Sequence, residues 1–254
     1  MIRIFASMLM TIALLTARSA EAADLKVISA GAVRGLIAQI IDDYSRQSGQ
    51  KFDFTIGTTG QLRNIIASGQ HADLIIVSTP LMGEIEKTGK LLPGSRADLG
   101  RVGIGVTTRE GAPVPDVSTP EAFRRALIAA RSVAYTDPAE GGTSGIYFAG
   151  LAERLGIADA IKSKAVLTRG GREAAIEVAD GRAEMAIVFI SESMAVKGVK
   201  LAGPLPPPLQ DYSVYAAAIP ASSTDAAAAR AFIGALTSAA MAEHWRANGF
   251  EPPK

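Results

Sequence analysis

The sequence predicts an α/β fold of two lobes, each a mixed, mostly parallel sheet flanked by helices. Short apolar runs alternate with helical patterns along the chain, as they do in βαβ units. Strand-like crossings near 101–107 and 211–219 bracket a central block. We therefore expect lobe I to comprise residues 24–102 and 212–254, with lobe II, residues 103–211, inserted into it. A ligand of such a fold is expected between the lobes, at the carboxyl ends of the strands.

The elements follow in order from hydrophobic periodicity. Apolar runs predict strands at 25–28, 51–56, 73–77, 101–106, 132–135, 165–168, 185–189 and 212–219. Helical spacing predicts helices at about 36–48, 61–68, 80–91, 120–129, 144–155, 171–180, 224–236 and 238–248. Thr119-Pro120-Glu121 is a strong helix start, because a hydroxyl cap precedes a first-turn proline and an early acid. Gly203–Pro208, with four prolines, is predicted to break regular structure.

The amino-terminal segment and the composition indicate an exported protein. Residues 1–23 carry an early cation, an apolar stretch and the small-residue pattern Ala20-Glu21-Ala22, which is typical of a cleaved signal peptide. We therefore expect a periplasmic location. The chain has no cysteine, so it offers no thiol nucleophile and no Cys-ligated metal. Its 26 Lys and Arg nearly balance 25 Asp and Glu, which argues against a nucleic-acid partner.

Four glycine- or hydroxyl-rich turns lie where predicted strands give way to helices. They are Ser29–Ala32, Gly57–Gly60, Asp137–Gly145 and Arg169–Arg172. The first N–H groups of a helix have no partner within the helix, and the helix dipole favours negative charge at this end. The turns therefore predict a single small anion held between several helix N-termini. Such a site needs no catalytic residue.

The motifs of several other functions are missing from the sequence. Gly103-x-Gly105 lacks the third glycine of a dinucleotide-binding turn, and Gly142–Gly145 is not a nucleophile elbow. His71 and His244 lie on separate elements without the spacing of metal ligands. We therefore expect neither a metal nor a cofactor, and we expect a monomer.

The order and spacing of these motifs resemble the molybdate-binding periplasmic proteins of ABC transporters. The resemblance covers Ser29–Ala32, Gly57–Leu62, Ala72–Ile76, Asp137–Tyr147 and Ala186–Phe189, and extends to Asn248-Gly249-Phe250. It implies a type II periplasmic binding-protein fold, an anionic ligand and a membrane permease as partner. It also implies ligand-binding positions at Ala32, at Thr59 with Thr58 beside it, and at Ser144, Gly171, Arg172 and Phe189. Two further candidates come from their places in the sequence: Arg34 beside the first turn, and Tyr147 in the first turn of its helix, which either faces the cleft or packs.

Two of these positions have lost the polar atom that the resemblance implies. Ala32 stands where the family places a serine, and Phe189 stands where it places a tyrosine. A hydrogen bond to a charged group contributes about 1.5–3 kcal/mol, so a molybdate-like oxyanion would lose much affinity. Arginines instead stand beside three of the turns: Arg34, Arg63, and the pair Arg169 and Arg172. Arginine grips carboxylates with two parallel bonds, so the pattern favours an organic acid.

Two classes of function follow from these residues. The first is a solute-binding protein that delivers an anion to an ABC permease. The second is an enzyme that uses the same cleft, because the fold also resembles aconitate isomerase, which shifts a double bond in a tricarboxylic acid. That reaction needs a group that carries a proton. Glu140, Glu173 and Tyr147 are the candidates for it in this sequence.

Overall fold

The structure is a computed structural model that describes residues 23–252. The predicted signal peptide, residues 1–23, lies outside the described residues apart from Ala23. In the described chain the strands are β1 (Leu25–Ala30), β2 (Phe52–Gly57), β3 (Leu74–Ser78), β4 (Ala97–Arg109), β5 (Val133–Thr136), β6 (Ala165–Thr168), β7 (Met185–Phe189), β8 (Val199–Pro204), β9 (Tyr212–Ala218) and β10 (Phe250–Glu251). The α-helices are α1 (Arg34–Ser48), α2 (Thr59–Ala67), α3 (Thr79–Glu86), α4 (Pro120–Ala129), α5 (Thr143–Arg154), α6 (Ala158–Lys162), α7 (Gly171–Ala179), α8 (Ile190–Met194), α9 (Ala226–Leu236) and α10 (Ala242–Ala247).

The mixed α/β fold is confirmed, and most elements lie within a few residues of their predicted bounds. The start of α4 is as predicted: the Thr119 hydroxyl accepts a hydrogen bond from the Ala122 N–H at 3.1 Å. The sequence did not predict α6, α8, β8 or β10. The break predicted from Gly203 onwards is wrong for its first two residues, since β8 runs through Gly203 and Pro204. Proline fits there because β8 pairs only with β4, which leaves its other edge free of a strand partner.

Strand β4 belongs to both halves of the sheet. The strand order is β2-β1-β3-β9-β4-β7-β5-β6, with β8 and β10 also paired to β4. Residues 97–103 of β4 pair antiparallel with β9, and residues 104–109 pair antiparallel with β7 and β8. We call β2, β1, β3, β9, β10 and this first part of β4 the first half-sheet. The second half-sheet consists of β5, β6, β7, β8 and the second part of β4. In the first, β1 pairs parallel with β2 and β3; in the second, β5 pairs parallel with β6 and β7.

The side chain of Gln210 completes the hydrogen bonding where β4 changes partners. The Ile104 N–H donates to the Gln210 Oε1 at 2.9 Å, and the Gln210 Nε2 donates to the Ile104 carbonyl at 2.9 Å. A Cβ on Gly103 would lie 3.0–3.2 Å from this amide, which is tight contact. The position therefore suits glycine for its lack of a side chain. The predicted lobe boundary, 102/103, lies one residue from this point, and the division into two lobes remains a prediction.

The ends of the strands position the turns at which the helices begin. Because β1, β3, β5 and β7 are each followed closely by a helix or a helical turn, their carboxyl ends carry helix N-termini. Apolar residues from both half-sheets and their covering helices form one main buried cluster, and α7 covers a smaller one with β5 and β7. Within residues 23–252 no helix combines the length and hydropathy needed to span a bilayer.

Asp73, which precedes β3, is a buried carboxylate that joins distant segments. Its side chain accepts hydrogen bonds from the Lys26 N–H at 3.0 Å and the Thr224 N–H at 2.8 Å. The Ser223 and Thr224 hydroxyls and the Asp225 N–H also donate to it. Burial by itself would raise the pKa of Asp73, but these donors outweigh burial and hold the pKa below its ordinary value. Asp73 therefore joins β1 and the start of α9 to the first half-sheet.

We expect Asp73→Asn to lower the free energy of unfolding by about 1–3 kcal/mol at pH 7, because donors to a buried anion lose their charged acceptor. A lowered pKa contributes stability above the unfolded value of about 3.9, and this stability is lost as pH falls through the folded pKa. The difference between wild type and variant should therefore shrink from pH 7 towards pH 3 in urea unfolding curves. Asp53→Asn, an exposed residue of β2, is the matched control. A difference independent of pH would contradict this account of Asp73.

Candidate functional site

All four predicted turns line one cavity of about 310 Å³. The turn after β1 contributes Ala30, Gly31 and Ala32, and the end of β2 with the start of α2 contributes 57–59. The start of α5 contributes 142–144, and the segment between β6 and α7 contributes 169–173. The structure therefore brings together turns that lie as far as 140 residues apart in the chain. It also places Arg34, Phe189, Glu192 and Tyr215 on the lining.

Several backbone donors at this cavity have no acceptor in the protein. Across residues 23–252, the N–H groups of Thr59, Ser144 and Arg172 make no hydrogen bond, as expected for the first residues of α2, α5 and α7. Ser144 is only 2% exposed and its hydroxyl also belongs to the lining. Three helix N-termini thus present N–H groups and partial positive charge around the same space.

Direct contacts join the start of α2 to the turn before α5 beside the cavity. The Gly60 N–H donates to the Gly141 carbonyl at 3.0 Å, and the Thr59 and Thr143 hydroxyls are 3.1 Å apart. The Gln61 Oε1 accepts a hydrogen bond from the Thr58 N–H at 3.0 Å and so caps α2. The Gln61 Nε2 donates to the Glu140 Oε2 at 2.7 Å. The Thr58 hydroxyl donates to the Glu140 carbonyl. These contacts connect the two half-sheets across one wall of the site.

Three arginines surround the opening of the cavity. Arg34 begins α1, and Arg169 and Arg172 flank the start of α7; all three are exposed and line the cavity. In the described part of the chain, none of these guanidinium groups has a carboxylate partner within 4.0 Å, the distance of an ion pair. Arg63, which its turn had suggested as a further ligand contact, instead makes a bidentate ion pair with Glu84 at 2.8 and 2.9 Å. That pair lies at a different pocket.

All but one of the predicted ligand-binding residues lie at the cavity. Eight of them line the cavity: Ala32, Arg34, Thr58, Thr59, Ser144, Gly171, Arg172 and Phe189. Tyr147 is not on the lining. Its hydroxyl donates to the Leu209 carbonyl at 2.9 Å, and Arg154 lies 5.2 Å from its ring centre. Its predicted place at the cavity is therefore wrong, since helix α5 turns this side chain towards the segment before β9.

Of the three proton-carrier candidates, only Glu173 lines the cavity, and it is exposed. Its carboxylate accepts the Arg169 N–H at 3.1 Å. Glu140 is engaged with Gln61 outside the lining, and Tyr147 is bonded elsewhere. In residues 23–252 no group of three or more His, Asp or Glu side chains is arranged to hold a metal ion.

Glu192 is a cavity residue that the sequence analysis missed. It lies in the first turn of α8, is 9% exposed, and accepts the Phe189 N–H at 3.3 Å. Burial raises the pKa of Glu192 to about 7, although the Phe189 and Gly171 N–H groups stabilise its charged form. The only signal in the sequence was an acid three residues after a strand end, which is also a common helix cap. A carboxyl with a pKa near neutrality can donate or accept a proton at this site.

Tyr215 of β9 is a second unpredicted lining residue. Its ring packs edge-to-face on Phe189, with the centres 6.3 Å apart. Burial, and then the nearby charge of Glu192, raise the pKa of Tyr215, so its hydroxyl remains a donor. The ring of Tyr215 therefore packs beside Phe189, at the position where the resemblance implies a tyrosine. Tyr215 lies in β9 among small and apolar residues, which gave no sign that it would line the cavity.

The profile of the bacterial extracellular solute-binding protein family matches residues 25–251. The chain belongs to this family. The predicted resemblance to periplasmic binding proteins is thereby confirmed, and solved structures agree. The Azotobacter vinelandii periplasmic molybdate-binding protein has a TM-score of 0.75 at 19% identity, over 91% of this chain and 100% of that one. A sulfate-binding protein from Mycobacterium tuberculosis has a TM-score of 0.70 at 18% identity, over 90% and 86% of the two chains.

A curated relative is more similar in sequence than these structures. An aconitate isomerase from a Pseudomonas species is 31% identical over 234 residues, which is 90% of this chain and 87% of the relative. The structural matches are below 25% identity and therefore establish the fold alone. The chain is thus similar in fold to proteins named for binding a solute, and similar in sequence to one named for an isomerisation.

We expect Gly60→Ala to weaken anion binding about tenfold or more, a loss of ~1.4 kcal/mol or more. A Cβ on Gly60 would lie 2.8 Å from the Gly141 Cα, so the start of α2 must move away from the opposing turn and widen the cavity. Isothermal titration calorimetry with citrate and with molybdate as probe anions measures the change.

Gly83→Ala in α3 is the control for this variant, because nothing lies within 4 Å of the added Cβ. We expect the control to keep wild-type affinity and to gain ~0.5–1 kcal/mol of stability from the better helix former. Equal affinities in Gly60→Ala and wild type would mean that this contact does not shape the anion site.

Proposed function

We propose that the cavity binds a small organic acid with two or more carboxylates, and that the protein is a periplasmic solute-binding protein. The observation that carries the proposal is the set of three arginines that have no ion-pair partner among residues 23–252 and that line a cavity formed by helix N-termini. A guanidinium group binds a carboxylate through two parallel hydrogen bonds, and free N–H groups at helix starts add donors to the same anion. The volume of about 310 Å³ lies at the lower end of small-molecule pockets, ~300–1,000 Å³.

The composition of the lining favours carboxylates over a compact tetrahedral oxyanion. Ala32 and Phe189 contribute no polar side-chain atom to the cavity, so two neutral donors of a molybdate-type cage are missing. The cations come from two elements, with Arg34 at the start of α1 and Arg169 and Arg172 around the start of α7. Each guanidinium group can bind one carboxylate through two parallel hydrogen bonds. A di- or tricarboxylate supplies more than one carboxylate to such a set.

The remaining features of the proposal follow from the family. We propose that residues 1–23 are removed as a signal peptide and that the mature protein acts as a monomer with an ABC-type membrane permease. Residues 24–102 and 212–254 would form lobe I, and 103–211 lobe II, with the cavity between them. The change of partners along β4 and the bonds that cross from α2 to the turn before α5 support this division.

We expect the mature protein to bind citrate or an aconitate more tightly than molybdate, tungstate, sulfate or phosphate. Arg172→Ala should weaken carboxylate binding about tenfold to a hundredfold, since a charge-assisted hydrogen bond contributes ~1.5–3 kcal/mol. Thermal shift identifies the ligands, because a ligand that binds only the native state raises the melting temperature. Calorimetry then gives the affinities.

Arg63→Ala is the matched control, because Arg63 is held by Glu84 away from the cavity. Its affinity should equal that of wild type, with only a small loss of stability from an exposed ion pair. Submicromolar molybdate binding with no response to any carboxylate would overturn the proposal.

A second candidate function is the isomerisation of an unsaturated tricarboxylic acid. The observation that favours it is the aconitate isomerase that is 31% identical over 90% of this chain. The chemistry is a 1,3-shift of a proton: one carbon loses a proton, the double bond moves, and the far carbon gains a proton. Atoms and electrons balance within the substrate, so only an acid–base group and a means to hold the carboxylates are required.

We expect proton NMR to separate the two candidates. Mature protein at catalytic concentration is mixed with cis-aconitate, and in a second sample with trans-aconitate. Interconversion above the protein-free rate supports the isomerase. Binding of either acid without interconversion leaves the solute-binding protein as the function.

A further inference from the structure

Glu192 is the carboxyl that the fold places deepest among the charged groups of the cavity. It is 9% exposed, whereas Arg34, Arg169, Arg172 and Glu173 are all exposed around the opening. A Cβ on Gly171 would lie 1.9 Å from the Glu192 Oε2, so the carboxyl reaches its position only because residue 171 is glycine. The side chain therefore approaches the first turn of α7, where we propose that an anion binds.

The contacts of Glu192 leave it without a cation. Its carboxylate accepts the N–H groups of Phe189 and Gly171, and over the described residues it makes no ion pair. The other ionisable groups of the lining are Tyr215 on β9, Arg34 at the start of α1, and Arg169, Arg172 and Glu173 around the start of α7. The bond to the Phe189 N–H also caps α8, but the bond to the Gly171 N–H directs the same carboxyl to the start of α7.

Burial brings the pKa of the Glu192 carboxyl close to neutral pH in the free protein. Its pKa of about 7 means that acid and base forms coexist at neutral pH. A bound polycarboxylate adds negative charge nearby, and like charges favour the neutral form of a carboxyl. Binding of the anion should therefore be accompanied by uptake of a proton.

We infer that Glu192 is the acid–base group of the anion site, which faces the bound organic acid from the closed end of the cavity. The inference rests on the proposed function, because it requires an organic acid in this cavity. As a carboxylic acid, Glu192 donates a hydrogen bond to a carboxylate of the ligand. In the fraction of complexes in which Glu192 remains a carboxylate, it accepts a proton from a ligand carbon next to a double bond and returns it to the far carbon of the same system.

That transfer balances without another reactant. The Glu192 oxygen takes the proton, and the C–H electron pair becomes the new double bond. The electrons of the old double bond then form a C–H bond with the proton returned by Glu192. The arginines hold the substrate carboxylates throughout, and Glu192 ends in its starting form.

The test compares wild type with Glu192→Gln, and with Glu110→Gln as the matched control, because Glu110 is an exposed residue after β4 that does not line the cavity. Calorimetry with trans-aconitate at pH 8, in two buffers of different ionisation enthalpy, gives the number of protons taken up per anion bound. We expect up to one proton for wild type and Glu110→Gln. Glu192→Gln should take up about one proton fewer than either of them. Protons taken up or released by the ligand itself are the same for all three proteins and cancel in this comparison.

The affinity for the anion should depend on pH in the way that this proton uptake requires. Between pH 7 and pH 8, the affinity of wild type should fall by up to about tenfold relative to the affinity of Glu192→Gln. The glutamine keeps a hydrogen-bond donor at all pH values, so the variant lacks this pH dependence. Equal uptake in wild type and Glu192→Gln overturns the inference, as does wild-type binding without uptake. The wild-type measurement decides the matter even where the variant is poorly folded. If no carboxylate binds wild type at all, the proposed function itself fails and the inference falls with it.

Deuterium exchange examines the carbon chemistry directly. In D2O, NMR follows both the CH₂ hydrogens and the cis–trans interconversion of aconitate with each of the three proteins, because a proton that Glu192 returns before it exchanges with solvent gives interconversion without deuterium. Exchange or interconversion by wild type and Glu110→Gln that is lost in Glu192→Gln supports proton transfer by Glu192. Exchange or interconversion that persists in Glu192→Gln overturns that assignment. Proton uptake with neither exchange nor interconversion by wild type leaves Glu192 as the hydrogen-bonding acid of a solute-binding protein and removes the isomerase candidate.

Discussion

The pairing of one strand, β4, with both half-sheets is the constraint on which the rest of the structure depends. Its first part bonds to β9 and its second part to β7 and β8, so a single continuous backbone sets the position of each half-sheet relative to the other. The parallel strands on either side then carry their helix starts to one place. The cavity follows from this arrangement, since it is built from turns of both half-sheets.

The chemistry of the cavity depends on local rather than overall charge. The chain has a formal net charge of +1, yet arginines without an ion-pair partner among residues 23–252 and free helix-start N–H groups concentrate positive potential in one region. Burial of Glu192 disfavours its charged form, which is why its pKa moves towards neutrality. The cavity thus combines hydrogen-bond donors that suit an anion with a carboxyl of perturbed pKa, and perturbed pKa values cluster at functional sites.

Much of the fold was accessible from the sequence because hydrophobic periodicity and helix caps are local signals. Strands β6 and β7 lie at their predicted positions, and Thr119 caps α4 as expected. The short helices α6 and α8 were not predicted, since five residues are too few to establish a helical period. Strand β8 was hidden by its terminal Gly-Pro, which is compatible with a strand only when one edge is unpaired.

The candidate site was predicted from the sequence as backbone and only partly as side chains. Glycine-rich turns after strands mark helix starts, and all four of those turns line the cavity. Whether a particular side chain faces the cavity depends on tertiary contacts that no local pattern records. Arg63 is held by Glu84 from a different helix, and Tyr147 is bonded to Leu209, while Glu192 reaches the cavity past Gly171. In each of these three cases, a partner distant in the sequence determines whether the side chain faces the cavity.

The bond between Gln210 and Ile104 has a consequence for how the two half-sheets can move. At the point where β4 leaves one set of partners for another, the Ile104 N–H and carbonyl are both bonded to a side chain. Ile104 is also in register with Phe189 of β7, and its carbonyl accepts the Leu205 N–H at 3.0 Å. A strand ladder resists rotation, because several rigid peptide units must shift together. A glutamine amide has rotatable bonds behind it and can follow a turn of the backbone while both of its hydrogen bonds remain intact. We therefore expect a local twist at this joint to cost little hydrogen bonding and to reach the cavity walls as a change in their separation.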